Sequence, residues 1–414
     1  MENQPKFDQW ADICEDVLYE IAQRIHSSVD YVRFRSTCKN CYINLPKYFK
    51  HCPLLLLPSD DNKSESLRQI FHPVENKVID HLSLPGAKDT VFRGSCFGWL
   101  IMIGTNDTIR ILNPITKVEF HLPPISTSVG VSGYDPGRYD KEYTIRGSNG
   151  VTYTFAKWFM QRVFYYKIVL SCPPDDENQD FMAVAIAQVD SSTSLCYCRR
   201  GDEKWTRLTE SKGLLLYDVI FHKEKIYAVC ALGSIYEYDM KTLRGGLSRS
   251  PSFDDNVFFT ADVRTYLVQC SGDFILVVKR VPIGFYKNKC EGEFDDEDED
   301  EDEDEDDEED EDDEDELQTS RFLVFKLDES QNKWVEVKNL NNNVLVLGYN
   351  SSCVLPHAIS PNGRGNCIYY SDNWVESQTK YLSGGYDNGI FNLEDGTIYP
   401  LFPDRDVIDP ADIT

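Results

Sequence analysis

Nothing in this chain of 414 residues reads as a basic tract, because its 42 Lys and Arg are scattered along the whole length. Neutralising a nucleic-acid backbone needs such residues clustered, so direct nucleic-acid binding is not expected. Long apolar runs are missing too: no stretch of about 18 uncharged apolar residues is present to span a bilayer, and no membrane role is expected. The opening "MENQPKFDQWADICEDVLYE" carries acids and no apolar core, which argues against a secretory signal and for a soluble protein of the nucleus or cytoplasm. Neither the G-x-G-x-x-G fingerprint, nor a phosphate-binding loop, nor H-E-x-x-H occurs, and the seven His are dispersed. Catalytic residues, cofactors and metal ligands therefore have no visible home, and none is assigned. The thirteen cysteines are odd in number and scattered, as expected of reduced thiols, many of them buried as small hydrophobes. Two sequons, at Asn106 and Asn350, should then be silent.

What is present is a globular composition, 41% apolar and 12% aromatic, interrupted by one acidic run from Asp295 to Glu316. That run supplies 22 of the negative charges; without it the net charge of −28 falls to −6. Its flanks, "GDFILVVKRV" and "RFLVFKLD", read as strands that pair as one hairpin, leaving 281–320 as an inserted loop. A self-repelling segment that cannot bury apolar area is expected to stay solvated and disordered. The alternative reading is a charged tether for a basic protein.

Helical periodicity is confined to residues 10–44. In "WADICEDVLYEIAQRI" the apolar positions Ile13, Val17, Leu18, Ile21 and Ile25 recur at spacings of three and four, with Asp12 or Asp16 placed to cap or charge the first turn. Ser27 or Ser28 can cap a second helix with Val29, Val32 and Cys38 on its inner side. A module of roughly 40 residues rarely closes a core alone, so its apolar stripe calls for a partner.

Beyond a Pro, Ser and Asp-rich connector near residues 53–66 the texture turns to short β runs between turn residues. "GDEKWTRL" (201–208) and "SQNKWVEV" (330–337) both place Lys-Trp after a polar turn. With the acidic run discounted, Trp205 and Trp334 stand two units of about 50 residues apart, a kelch-type propeller spacing, and the strand clusters from residue 70 onward make about six blades.

The N-terminal module resembles an F-box on Trp10, Ile13, Asp16, Val17, Leu18, Ile21 and Ile25 and on "VDYVRFRSTCKNC" from Val29 to Cys41. The downstream chain is similar to the plant domain of unknown function often joined to such F-boxes, on "GSCFGWLIMI" (94–103), "LNPITKVEFHLPPI" (112–125), "YDVIFHKEKIYAV" (217–229) and "NCIYYSDNW...DNGIFNLEDGTIYPL" (366–401). Two positions depart from the F-box pattern: Ile13-Cys14 stands where the family has Leu-Pro, and Cys41 where it has Trp. The resemblance implies a mainly β protein: a three-helix F-box (1–50), a linker (51–68) and a kelch-like β-propeller (69–410) that binds the substrate, interrupted by the acidic loop (281–320). It further implies docking on a Skp-type adaptor, and so on a cullin-RING ubiquitin ligase, through Trp10, Ile13, Cys14, Val17, Leu18, Ile21, Ile25, Val32, Cys38 and Cys41. The substrate and the residues that bind it stay unassigned. A second reading keeps a degenerate F-box on a ligase-independent scaffold whose acidic loop collects basic proteins.

Smaller signals have competing explanations. Cys38-Lys-Asn-Cys41, near His51 and Cys52, has the C-x-x-C form of a zinc or redox site, against which Cys38 and Cys41 fill F-box core positions. "GSCFG" (94–98) imitates a nucleophile elbow around Cys96, but "WLIMIG" after it reads as a strand where an elbow needs a helix. Trp99, Trp205 and Trp334 are expected to pack between blades. "YDPGRYDKEY" (134–143), "KWFMQR" (157–162) and 373–389 are expected loops of interface composition.

Overall fold

The computed structural model describes residues 13–25, 28–45, 55–58, 67–72, 77–86, 90–147, 150–176, 180–189, 192–208, 211, 213–230, 233–253, 263–270, 272–280, 319–348, 352–355, 365–371 and 387–401. Trp10, Asp12, His51, Cys52, Asn350, the acidic run and most of the 373–389 segment lie outside the described residues.

Three short helices open the chain: α1 (Glu15–Gln23), α2 (Ser28–Arg35) and α3 (Lys39–Asn44). Strands follow in meanders. The first sheet holds β1 (Leu55–Pro58), β2 (Leu67–His72) and β3 (Lys77–Ser83); the second holds β4 (Thr90–Cys96), β5 (Trp99–Gly104), β6 (Ile109–Leu112) and β7 (Glu119–Leu122). A small third sheet, β8 (Val131–Tyr134), β9 (Tyr143–Arg146) and β10 (Thr152–Phe155), precedes helix α4 (Lys157–Val163). The fourth sheet is β11 (Tyr165–Leu170), β12 (Met182–Val189), β13 (Ser192–Arg199) and β14 (Thr206–Arg207). The fifth is β15 (Leu216–His222), β16 (Lys225–Cys230), β17 (Ile235–Asp239) and β18 (Gly245–Arg249). The sixth is β19 (Val263–Cys270), β20 (Asp273–Arg280), β21 (Arg321–Asp328) and β22 (Lys333–Glu336). The seventh runs β24 (Cys353–Leu355), β23 (Val344–Leu347), β25 (Cys367–Tyr370), β26 (Gly389–Asn392) and β27 (Ile398–Tyr399), with β23 and β25 parallel and its other pairs antiparallel.

Sheets stack through their first strands. β4 lies beside β11, β11 beside β15, β15 beside β19 and β19 beside β24. Because β4 meets β11 directly, the third sheet is an excursion between the second and fourth. Sandwiched sheets are dry on both faces, and this is why the strand signals read as continuous apolar runs rather than alternations: Met182 to Ala187 of β12 are all buried. The first sheet packs on the second around Leu84, Met102 and Leu112, and separate apolar clusters join the fifth sheet to the sixth and the sixth to the seventh.

The Lys-Trp repeat has a structural equivalent. Trp205, just before β14, donates its indole N–H to Pro123 O at 2.8 Å, and Trp334 in β22 donates to Gly233 O at 2.9 Å. Trp205 thus ties the outer strand of the fourth sheet to the end of the second, Trp334 ties that of the sixth to the fifth, and the two sit two blade-like units apart. Trp99 is fully buried beside Phe120, so all three indoles pack as expected.

"GSCFG" is a hairpin. Gly94 to Cys96 belong to β4, Cys96 pairs with Trp99, and the turn is Phe97-Gly98, both with positive φ (54° and 78°) as a two-residue hairpin turn demands. A strand–turn–strand cannot present an elbow nucleophile.

Two segments differ from their sequence reading. "KWFMQR" is not a loop but α4, which buries Met160 and Gln161 and whose Gln161 side chain donates to Ile103 O at 2.7 Å; seven residues are too few to show a helical period. Inside the connector, the leucine run before Pro58 forms β1, with Leu55 paired to Phe71 and Pro58 to Arg68 at the sheet edge where a missing N–H is harmless. The expected hairpin around the acidic run is present: β20 and β21 pair antiparallel out to Arg280 and Arg321. Thr319 donates its N–H (2.9 Å) and hydroxyl (2.7 Å) to Asp387, which also pairs with buried Lys279 at 2.5 Å. The returning strand is therefore held where the insertion ends.

Candidate functional site

The helical module places its apolar residues in two groups. Leu18, Ala22, Tyr31, Cys41 and Leu45 form its interior, with Ile13, Ile25, Phe34 and Cys38 packed against them. Leu18 and Ala22, four apart, bring one face of α1 onto α2 and α3. Five buried side chains make a very small core.

The second group points outward. Val17 is 46% exposed, Tyr42 57% and Ile43 64%, with Tyr19 and Cys14 also exposed and Ile21 half-buried. On α1, Cys14, Val17 and Ile21 follow at spacings of three and four, a second stripe flanking the buried one. On α3, Tyr42 and Ile43 are exposed as well. Their backbone is braced from α2, since Arg35 donates to Tyr42 O at 2.8 Å and to Leu45 O at 3.2 Å with its guanidinium 4.2 Å over the Tyr42 ring. Asn40 ties α3 to the start of α1 by donating to Ile13 O at 2.9 Å.

Of the residues singled out from sequence, Leu18 and Cys41 thus belong to the module's own interior and support its surface from beneath. Ile13, Ile21, Ile25, Val32 and Cys38 are half-buried, Cys14 and Val17 exposed. Sequence reasoning missed Tyr19, Tyr42 and Ile43. The signal for Tyr42 and Ile43 was α3 itself, six residues starting after an N-cap that reads more readily as C-x-x-C. Cys14 caps α1 without a side-chain bond, while acidic Glu15 and Asp16 complement the positive end of the helix.

Cys38 is the N-cap of α3: its sulfur accepts the Cys41 N–H at 3.3 Å and lies 3.3 Å from the Cys41 sulfur. The backbone N–H of Cys41 stabilises the Cys38 thiolate and lowers that thiol's pKa, whereas burial pushes the Cys41 thiol up. The spacing that suggests a metal site is here a capping geometry.

Comparison with known proteins adds the following. A family model described as the KIB1-4 beta-propeller matches residues 70–392. A putative F-box protein of Arabidopsis thaliana is 25% identical over 406 residues, covering 94% of this chain and 95% of that protein. An F-box protein of the same plant is 23% identical over 424 residues, covering 95% and 96%. A probable F-box protein, again from Arabidopsis thaliana, is 23% identical over 251 residues, 58% of this chain and 62% of its own length. Among solved structures, a Niastella koreensis GH74 enzyme aligns over 80% of this chain and 50% of its own, at 12% identity and a TM-score of 0.33.

Proposed function

Since the chain belongs to the KIB1-4 beta-propeller family, we propose that it is the substrate-recognition subunit of a Skp–cullin–F-box ubiquitin ligase. The observation that carries this reading is a small helical module with more large apolar side chains facing out than it can bury, joined on one chain to a β-propeller domain. Helices α1 and α3 offer Cys14, Val17, Ile21, Tyr42 and Ile43 to the adaptor, a helix-in-groove contact anchored by a few apolar residues. The propeller holds the protein to be ubiquitinated, in the nucleus or cytoplasm. Its six sheets other than β8–β10 serve as kelch-like blades. The chain performs no catalysis, and ubiquitin transfer takes place on the ligase's other subunits.

Co-purification with a Skp-type adaptor and a cullin tests this. Wild type should recover both, while Val17→Asp and Ile43→Asp should recover neither and keep the wild-type melting temperature, because both sites are already exposed. A wild-type chain that brings down no adaptor would sink the reading. A second reading, a ligase-independent scaffold, draws support from Ile13-Cys14 in place of Leu-Pro and Cys41 in place of Trp. It requires that deleting 295–316 abolish binding to the partners recovered.

A further inference from the structure

Two sulfurs of the helical module stand close enough to bond. Cys38 is half-buried between exposed Thr37 and Lys39, whereas Cys41 is fully buried among Leu18, Ala22, Tyr31 and Leu45. The sulfurs are 3.3 Å apart, roughly 1.3 Å beyond the bonded separation of about 2 Å. A thiol that reacts with an oxidant has to be reachable and held as thiolate, and the thiol that resolves the product has to stand beside it. Capping of α3 supplies both conditions at once: the Cys41 N–H is held 3.3 Å from the Cys38 sulfur, and the same turn brings the Cys41 sulfur alongside.

Other cysteines meet only one condition or neither. Cys172, Cys196 and Cys198 are buried in the β domain, and burial pushes their thiols up. Cys14 is exposed, but it caps α1 without a side-chain bond. At Cys38 the backbone N–H of Cys41 holds the thiol below its ordinary pKa and so enlarges the thiolate share. Burial keeps the Cys41 thiol protonated, and the Thr37 hydroxyl lies 3.5 Å from its sulfur. The exposed member of the pair is thus the nucleophile and the buried member is kept in reserve.

We propose that Cys38 and Cys41 are an oxidation site for hydroperoxides, at which Cys38 reacts first and Cys41 then closes a reversible disulfide with it. In the first step the Cys38 thiolate attacks a peroxide oxygen: an S–O bond forms, the O–O bond breaks, and the other oxygen leaves as an alcohol, or as water when the oxidant is hydrogen peroxide, after taking one proton. Cys38 is then a sulfenic acid, oxidised by the two electrons that reduce the peroxide. In the second step the Cys41 sulfur attacks the Cys38 sulfur: the S–S bond forms, the S–O bond breaks, and water leaves with the Cys41 proton. A dithiol reductant reverses the bond by two exchange steps, through a mixed disulfide, and is itself oxidised to a disulfide. None of these steps needs an adaptor, so the inference stands apart from the function proposed above.

The test is peroxide titration of the full chain, read by mass spectrometry. Equal amounts of unlabelled and uniformly ¹⁵N-labelled chain are treated with hydrogen peroxide, quenched with catalase, unfolded in excess iodoacetamide and digested. Trypsin cuts after Arg35, Lys39 and Lys47, so the disulfide joins two peptides, 36–39 and 40–47. This linked pair should replace both alkylated peptides as peroxide rises, should carry the same isotope on both halves, and should vanish after dithiothreitol. Cys14 should still be mostly alkylated at the dose that converts half of Cys38. In Cys38→Ser, which keeps a capping oxygen at the surface and leaves the interior untouched, Cys41 should stay alkylated at that dose. In Cys41→Ala, Cys38 should stop at the sulfenic acid, which dimedone traps. No linked pair by the dose that consumes Cys14, linked pairs of mixed isotope, or Cys41 lost as fast in Cys38→Ser as in wild type would each overturn the assignment.

Discussion

Asp218 is the residue on which the junction of the inner strands depends most. Its carboxylate takes donors from β11 (Lys167), β15 (Val219), β19 (Leu267) and the segment entering β24 (Ser352), which joins four sheets at one buried point. Asn has the same shape but is neutral and turns an N–H₂ toward one of these donors. Lys167, 4% exposed, is then left buried without its counter-ion. Breaking a buried pair from one side typically destabilises by about 3–5 kcal/mol, a large share of the roughly 5–15 kcal/mol that holds a domain folded. Lys167→Met should fall in the same range, because it leaves the Asp218 anion facing neutral donors alone. The double variant removes both charges and should lose clearly less than the two single losses together, with a coupling of about 1–3 kcal/mol. Urea unfolding followed by tryptophan fluorescence measures all four chains, with slopes compared to confirm that midpoints report stability. Single losses that add within about 0.5 kcal/mol would show that the two groups do not depend on each other.

Other perturbations separate further elements of the argument. Trp334→Phe should destabilise by about 1–3 kcal/mol in the same urea assay, since it strands the buried Gly233 carbonyl that the indole N–H satisfies. Deleting 295–316 shortens the 40-residue connection between β20 and β21 to 18 residues. Loop-closure entropy changes by only about 0.7 kcal/mol, so the urea midpoint should hardly move; a loss of several kcal/mol would show that the run packs on the fold. Cys38 should alkylate with iodoacetamide faster than Cys41, and its rate should level off at a lower pH than that of an ordinary thiol. The sign follows from the Cys41 N–H stabilising the Cys38 thiolate while burial favours the Cys41 thiol; mass spectrometry after timed labelling reads both sites, and equal rates would contradict the capping geometry.

Much of the β architecture was legible from residue order. Runs such as "WLIMIG" and "RFLVFKLD" are apolar, short and bounded by turn residues, and each became a strand at or within a residue or two of the expected place. The Lys-Trp spacing located equivalent positions two sheets apart. The α4 segment and β1 were not legible, because seven helical residues or four leucines carry too little periodicity to outweigh neighbouring turn residues. On α1 the stripe was visible, but not its division: Leu18 and Val17 are adjacent apolar residues, and only the placement of α2 and α3 makes one of them interior and the other surface.

By itself, the sequence determined which segments could be strands, that helical periodicity was confined to residues 10–44, and that the 22 acids from Asp295 to Glu316 could not bury apolar area. Those outcomes rest on local quantities: side-chain period, turn chemistry and charge density. Tertiary structure alone decided the pairing of Lys167 with Asp218, 51 residues apart, and the bulges that turn Tyr166 and Tyr217 into one pocket. Each depends on contacts between distant parts of the chain, whose free energy exists only once the sheets have stacked.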